Sequence, residues 1–471
     1  MSGLKFGTSG LRGLVVDLTD EACALWTRAF LRHLRAEGAL TAGDEVLVGR
    51  DLRGSSPRIA RACLAAIAAE GLAPVDCGEI PSPALALAAM SRGAPGIMVT
   101  GSHIPDDRNG LKFYRAEGEI DKADEAGILA RAEFAPTSSA SAVAPRAFDA
   151  LGAYRARYGV LGEGLLSGLT IGVYQHSTVS RDVIAQVLED LGARVLPFAR
   201  SEAFIPVDTE ALRPEDAALA RDFAAAHEID ALVSADGDAD RPLIADERGV
   251  FLRGDLVGLL TARWLGADLV VTPVTSTSAV EACGFFRAVT RTKVGSPYVV
   301  AGMQAAGESR IPVGFEANGG VLLGAPARGL AALPTRDALL PILAVIALAK
   351  SEGLKLSQLV ARLPARFTAS DRLKEIPAEK SGPFLERLKQ DPAFAAEFAA
   401  GVLAAAGVAP NPVASFDAVD GLRMVLTDGS TLHYRASGNA PELRCYVETS
   451  EEAAAQALLA AGLEAAKRRL T

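Results

Sequence analysis

The fold turns on Glu45-Val46-Leu47-Val48-Gly49-Arg50-Asp51-Leu52-Arg53-Gly54-Ser55-Ser56. An apolar run of strand character enters a polar, glycine-containing loop. An Ala/Leu-rich amphipathic stretch then continues to residue 71, so the segment predicts a strand, a loop and a helix. The order recurs over residues 170–193, where Ile171-Gly172-Val173-Tyr174 is followed by a loop at 175–180 and a helix. It recurs again from Leu269-Val270-Val271-Thr272, with a loop at 273–277 and a short helix. Each strand ends in a Ser/Thr-rich turn that opens a helix, the unit of an α/β fold and the place where such folds take ligands. Periodicity alone leaves two readings open: a threefold repeat, or a chance likeness among α/β units. The last hundred residues read differently. A charged stretch at 366–390 and a second helix precede alternating segments at 417–426, 431–435 and 443–447, and a helix over 451–470 closes the chain. This predicts a separate α+β domain on a hinge near Thr368.

A chain of 471 residues implies about three or four domains. With 49% hydrophobic and 22% charged residues it has globular composition. A net charge of −9 argues against a general nucleic-acid binder, whose affinity comes from a basic surface. Cys23, Cys63, Cys77, Cys283 and Cys445 are scattered without zinc-ligand or CxxC spacing and read as reduced thiols. The N-terminus shows no apolar signal segment, and the longest apolar run, at 338–349, is broken by Pro341 and too short for a bilayer. The expectation is a soluble cytoplasmic protein with no membrane or nucleic-acid partner; its oligomeric state is not encoded legibly.

Four loops carry chemistry. Thr100-Gly101-Ser102-His103-Ile104-Pro105 follows an apolar strand at 96–99 and continues to Lys112. It offers an accessible serine with a proton relay and a positive charge nearby, or an ordinary Ser/Asn-rich turn; a serine needs such activation to act as a nucleophile. Asp236-Gly237-Asp238-Ala239-Asp240-Arg241 follows a strand at 229–233. Three alternate carboxylates repel one another and call for a hard cation such as Mg²⁺ or for strong donors. An EF-hand competes, since Glu247 falls at its position 12, but Arg241 stands where its glycine should be and the flanks read as strand. A solvated acidic turn is a further reading. Gly314-Phe315-Glu316-Ala317-Asn318-Gly319-Gly320 suits vicinal hydroxyls or a plain structural turn. Arg435-Ala436-Ser437-Gly438-Asn439-Ala440-Pro441-Glu442-Leu443-Arg444 sets a turn of backbone donors between two arginines, a phosphate grip or a hairpin with incidental arginines. Together the loops supply what phosphoryl transfer on a sugar phosphate requires.

At these loops the sequence resembles the α-D-phosphohexomutase family, most nearly its phosphomannomutase/phosphoglucomutase branch, over essentially the whole chain and in the same order. Phe6-Gly7-Thr8-Ser9-Gly10-Leu11-Arg12-Gly13, Gly49-Arg50-Asp51, Ser55-Ser56-Pro57, Pro81-Ser82-Pro83-Ala84 and Arg291-Thr292-Lys293-Val294-Gly295 also carry the likeness. The resemblance implies an α/β fold of four domains around a central cleft. These are 1–150 with a phosphoserine loop, 151–254 with a metal loop, 255–366 with a sugar loop, and a mobile phosphate-binding α+β domain at 367–471. It implies a phosphorylated Ser102 that exchanges its phosphoryl group with hexose 1- and 6-phosphates through a hexose 1,6-bisphosphate. Mg²⁺ would be held by Asp236, Asp238, Asp240 and a phosphoserine oxygen, with Arg12, Lys112 and Arg241 around the phosphoryl group. Glu316 and Asn318 would face the sugar. Lys293, Arg435, Ser437, Gly438, Asn439 and Arg444 would hold the second phosphate.

The sequence departs from the family pattern at Ile104, where asparagine is usual, and at Gly320, where the sugar loop usually ends in histidine. That histidine is a family candidate for proton transfer, so Lys112 and His103 remain as acid/base candidates. A Mg²⁺-dependent sugar phosphatase, a phosphoglucosamine mutase and a weakly catalytic sugar-phosphate binder are the alternatives. The preferred sugar (mannose, glucose, glucosamine or N-acetylglucosamine) is not legible.

Overall fold

The computed structural model describes residues 3–7, 10–132, 144–307, 311–437 and 441–470. They form two compact units, Met1–Val270 with Gly295–Val360, and Val271–Val294 with Ala361–Thr471.

In the first unit, strand Glu45–Arg50 lies parallel to both Ala73–Glu79 and Gly96–Val99. Val46, Leu47 and Val48 are fully buried, as a strand covered on both faces must be, which explains why the run is continuously apolar rather than alternating. Helices Asp20–Ala36 and Ser56–Ala69 supply Phe30, Leu34, Ile59, Cys63 and Ile67 to the same core as Val46, Val48, Ile97 and Val99. A second sheet repeats the arrangement, with Thr170–His176 parallel to both Arg194–Arg200 and Ala231–Ala235. The predicted strand–loop–helix order is observed in all three places, with helices Ser56–Ala69, Arg181–Asp190 and Ala279–Ala282 after the loops.

The chemistry-bearing residues do not lie on those strand-to-helix turns. Gly96–Val99 turns back into antiparallel Arg108–Arg115. Ala231–Ala235 turns back into Pro242–Ala245, and Pro312–Phe315 into Val321–Leu323. The serine, aspartate and sugar loops are the tips of these three hairpins. The reason is steric: a tight reversal presents short polar side chains at a sheet end, where two such tips can meet.

The second unit carries an all-antiparallel sheet in the order Phe367–Lys374, Glu442–Thr449, Thr431–Ala436, Leu422–Leu426, Val413–Asp417. Helices Ala378–Gln390, Pro392–Ala405 and Glu452–Leu470 bury Leu388, Phe398, Val402 and Leu458 with Leu432, Tyr434 and Val447 of the sheet. The segment expected as one strand over 417–426 is broken at Gly421. That residue has φ +79°, and a Cβ there would stand 2.0 Å from the Tyr434 carbonyl oxygen. Thr368, near which the hinge is expected, pairs with Glu448 inside a strand, and the boundary between units falls between Val360 and Ala361. Among the described residues no helix is long and apolar enough to cross a membrane.

Candidate active site

The serine loop is held from below. Asp51 accepts hydrogen bonds from Thr100 Oγ1 at 2.7 Å and the Gly101 amide at 3.3 Å, and Thr100 Oγ1 accepts from the Ser102 amide at 2.7 Å. Arg53, fully buried, donates to the carbonyls of Ser102, Ile104, Pro105 and Arg108 at 2.5–3.0 Å, with the Phe204 ring 4.0 Å over its guanidinium. A Cβ on Gly101 would lie 2.6 Å from Arg53 Cζ, so only glycine lets the loop settle on that cation. Ser102 is left with φ 53°, a left-handed conformation unusual for serine, which the bracing over-determines. Its Oγ donates to Asp236 Oδ2 at 2.6 Å and lies 3.1 Å from His103 Nδ1.

The aspartate loop meets it across the unit. A Cβ on Gly237 would stand 2.6 Å from the Ser102 carbonyl oxygen, so the glycine permits this approach. Asp236, Asp238 and Asp240 are buried, and each brings a carboxylate oxygen within 4.8 Å of the others. Lys112 Nζ donates to Asp238 Oδ2 at 2.5 Å and Asp240 Oδ2 at 2.6 Å, whereas Asp238 Oδ1 and Asp240 Oδ1 are buried without a hydrogen-bond partner. Burial and the carboxylates of Asp238 and Asp240 push Asp236 well above the usual range. Against its burial, Arg336, Lys112 and Arg241 hold Asp240 well below it. Clustered carboxylates with orphaned buried oxygens fit a hard divalent cation. The strand–turn–strand frame excludes the EF-hand, which needs flanking helices.

Arg12 sits on strand Gly10–Leu14, directly opposite Gly110 of Arg108–Arg115. Arg241 is buried next to the loop, with Nε 3.7 Å from Asp240 Oδ1. Burial and the nearby Arg241 and Arg12 lower His103 to about 2, so its imidazole is neutral. Although burial opposes it, Asp238 and Asp240 raise Lys112, so its ammonium stays charged.

On the third hairpin Glu316 is buried against Arg336 Nη1 at 3.1 Å, and Arg336 Nη2 reaches Asp240 Oδ2 at 2.8 Å. Asn318 directs its Oδ1 to the Gly320 amide at 2.9 Å and its Nδ2 toward Glu316 at 3.5 Å, so part of its polarity shapes the loop itself.

In the second unit Arg435 and Arg444 stand directly opposite each other on neighbouring strands. Like charges so placed repel, and an anion between them relieves the cost. Asp420 Oδ2 lies 3.1 Å from Arg435 Nε and accepts from the Val294 amide at 3.1 Å, which ties the segment bearing exposed Lys293 to the same strand pair. The Ser437 amide donates to the Glu442 carbonyl at 2.9 Å. Gly438 and Asn439 lie outside the described residues, as do Thr8 and Ser9 of the N-terminal motif.

Comparison with known proteins agrees with this geometry. Models of phosphoglucomutase/phosphomannomutase α/β/α domains I, II and III match residues 3–137, 163–249 and 253–367, and the model of the C-terminal domain matches 386–465. A phosphomannomutase of Sinorhizobium fredii is 47% identical, with 98% of each chain covered. The chain belongs to the phosphoglucomutase/phosphomannomutase family. A phosphomannomutase of Salmonella muenchen is 42% identical over 96% of this chain and 93% of its own. The crystal structure of a family member from Burkholderia thailandensis superposes with a TM-score of 0.79 at 21% identity, covering 98% of this chain and 97% of that one, and shares the fold. As a phosphohexomutase the protein is an isomerase that moves a phosphoryl group between hexose hydroxyls.

Three residues that hold these loops in place escaped sequence reasoning. Arg53 looked like part of a ligand loop and is the scaffold of the serine tip. Ser82, at the start of helix Ser82–Arg92, hydrogen-bonds the Asp238 carboxylate and donates its amide to the Asp238 carbonyl at 2.9 Å. Arg336 lies in the short polar run Thr335-Arg336-Asp337, between the apolar Leu333 and helix Leu339–Ser351. A charged residue within such a buried stretch was the available signal, since buried charges must be paired. The strand-to-helix loops serve as braces: Thr178 Oγ1 donates to the Asp236 carbonyl at 2.7 Å, and His176 Nε2 lies 2.9 Å from the Ala235 carbonyl oxygen.

Proposed function

We propose that this enzyme interconverts mannose 1-phosphate and mannose 6-phosphate, with glucose phosphates as secondary substrates, through a phosphorylated Ser102 and a hexose 1,6-bisphosphate. The observation that carries the reading is Ser102 Oγ on a buried tip, 2.6 Å from Asp236, which clusters with Asp238 and Asp240, the two carboxylates that Lys112 joins. The names of the two relatives above favour mannose. In the transfer, the bond between phosphorus and Ser102 Oγ breaks, a bond to a sugar hydroxyl oxygen forms, and the hydroxyl proton ends on Ser102 Oγ. Lys112 and Arg241, both charged, and Arg12 offset the charge that develops on the phosphoryl oxygens. His103 Nδ1, 3.1 Å from Ser102 Oγ, is placed to hydrogen-bond that oxygen, and being neutral it adds no charge beside the phosphoryl group. Asp236, Asp238 and Asp240, with a phosphoserine oxygen, would hold Mg²⁺, which would supply further neutralisation of that charge. Glu316 and Asn318 read sugar hydroxyls, and Lys293, Arg435, Ser437, Gly438, Asn439 and Arg444 take the phosphate that is not transferred. The five free thiols, four of them buried, support a reducing cytoplasmic location.

The test combines intact mass with a coupled assay. A phosphate adduct on Ser102 should chase onto hexose phosphate, and catalytic hexose 1,6-bisphosphate should sustain turnover, fastest with mannose 1-phosphate across mannose, glucose, glucosamine and N-acetylglucosamine substrates. Exhaustive chelation should abolish turnover and Mg²⁺ should restore it. Orthophosphate release without isomerisation would replace the mutase reading by a phosphatase, and glucosamine 1-phosphate turned over fastest would replace mannose.

A further inference from the structure

Glu316 and Asp240 belong to different hairpins, yet one guanidinium spans them: Arg336 Nη1 is 3.1 Å from Glu316 Oε2 and Nη2 is 2.8 Å from Asp240 Oδ2, with the side chain only 3% exposed. Its backbone is pinned on both sides. Thr335 Oγ1 donates to Glu119 Oε1 at 2.7 Å, and the Asp337 carboxylate accepts from Tyr154 OH at 2.5 Å and from Tyr158 OH. Room for the side chain comes from Gly320. A Cβ there would stand 2.8 Å from Arg336 Cδ, 2.9 Å from its Cγ and 3.0 Å from the Asp240 carbonyl oxygen. Gly320 does not have a positive φ, so space rather than backbone conformation demands the glycine.

We infer that Arg336 is a positioning residue that holds the aspartate loop and the sugar-loop glutamate in one register, in space that the absence of a side chain at 320 leaves to it. A planar fork engages two carboxylates on separate loops through two different nitrogens at a fixed spacing, whereas a lysine ammonium would have to draw both to a single nitrogen. Because the two loops bear the phosphoryl-transfer carboxylates and the sugar reader, the register between them sets where the attacking hydroxyl lies, and reaction rates fall steeply with such misplacement. The inference rests on the proposed roles of Ser102 and Glu316.

The test uses full-length R336M, R336K and G320A, with kcat and KM for mannose 1-phosphate and glucose 1-phosphate and a thermal melt for each. R336M should lower kcat at least 100-fold and raise KM. R336K should regain at least tenfold of that kcat while KM stays high. G320A, which leaves the arginine present but displaces it, should lower kcat about tenfold without loss of secondary structure. Wild-type kcat and KM in R336M with only a lower melting temperature would make the arginine structural and overturn the inference. Should R336M not fold, wild-type kinetics in folded G320A overturn it. Intact mass of the wild-type protein separates the two readings: no phosphate on Ser102 removes the proposed mechanism, whereas an adduct together with unaltered variant kinetics removes this inference alone.

Discussion

The serine–aspartate cluster of the first unit and the opposed arginines of the second, both proposed above to handle phosphate, are built in different ways. At the centre the charges are buried and most are held by a named partner, while Asp238 Oδ1 and Asp240 Oδ1 stay without a hydrogen bond. Asp51 and Arg53 hold the serine tip, Ser82 and Lys112 hold Asp238, and Arg336 holds Asp240. On the second unit two like charges face each other across a strand pair, and Arg444 keeps 36% of its side chain exposed. The contrast fits the proposed roles. A group that makes and breaks a bond needs its surroundings fixed beforehand in a water-poor site. A group that takes and releases an anion needs cations that can exchange partners, and until the anion arrives Arg435 lies 3.1 Å from Asp420 Oδ2 and Arg444 3.4 Å from Glu442 Oε2.

The largest effect that could break this contrast is at the serine. Ser102→Ala should lower turnover by at least about 10⁴-fold with an unchanged melting temperature, read in the coupled assay, because the transferring atom itself is gone. Substantial turnover in that variant would place the chemistry elsewhere.

Acid should weaken both regions for one reason. Burial lowers His176, under the aspartate loop, and His433, on the strand of Arg435, to about 4 each. Both are neutral donors to a carbonyl, of Ala235 and Asp420 respectively. Their folded values lie below the unfolded value of about 6.5, so the unfolded chain takes up protons first. Stability is then full above that value and is lost as pH falls toward 4, by roughly 3 kcal/mol for each histidine. Melts between pH 7.5 and 4.5 should show this slope, and His433→Gln should flatten it. An unchanged slope would mean that His433 titrates normally.

Arg435→Ala sharpens the contrast. Losing one charge-assisted hydrogen bond of about 1.5–3 kcal/mol should raise KM for hexose phosphate by about ten- to a hundredfold. It should also lower kcat, as a loosely held bisphosphate escapes. Steady-state kinetics with detection of free bisphosphate would decide; an unaltered KM would remove the arginines from substrate binding. The smallest effect is Tyr158→Phe, which takes one donor from buried Asp337 and should cost about 1–2 kcal/mol, measured by denaturant unfolding. A kcat loss beyond that of a simple destabilisation would tie Asp337 to the placement of Arg336.

The α/β class was legible, and the candidate loops could be named, because their signals are local. Val46-Leu47-Val48 is a short continuous apolar run that suits a strand buried on both faces, and three alternate aspartates call for a hard cation or strong donors. The braces were not legible for the converse reason. Arg53 reads like any loop arginine until four carbonyls converge on it, and Ser82 is 156 residues from the aspartate it holds. The loops expected to bind ligands became supports because both a strand-to-helix turn and a hairpin tip fall at a sheet end, and residue patterns do not say which comes closer to the reacting atoms.

What this sequence determined by itself is the set of chemical groups and the elements that carry them, since residue type and periodicity act over a few residues and need no partner. What the tertiary structure alone decided is which groups meet. The approach of Gly237 to the Ser102 carbonyl, the fork of Arg336 across Gly320 and the opposition of Arg435 to Arg444 all depend on strand register and close packing between segments far apart in the chain. There a shift of one residue would turn a side chain to the other face, and a single Cβ would close the space.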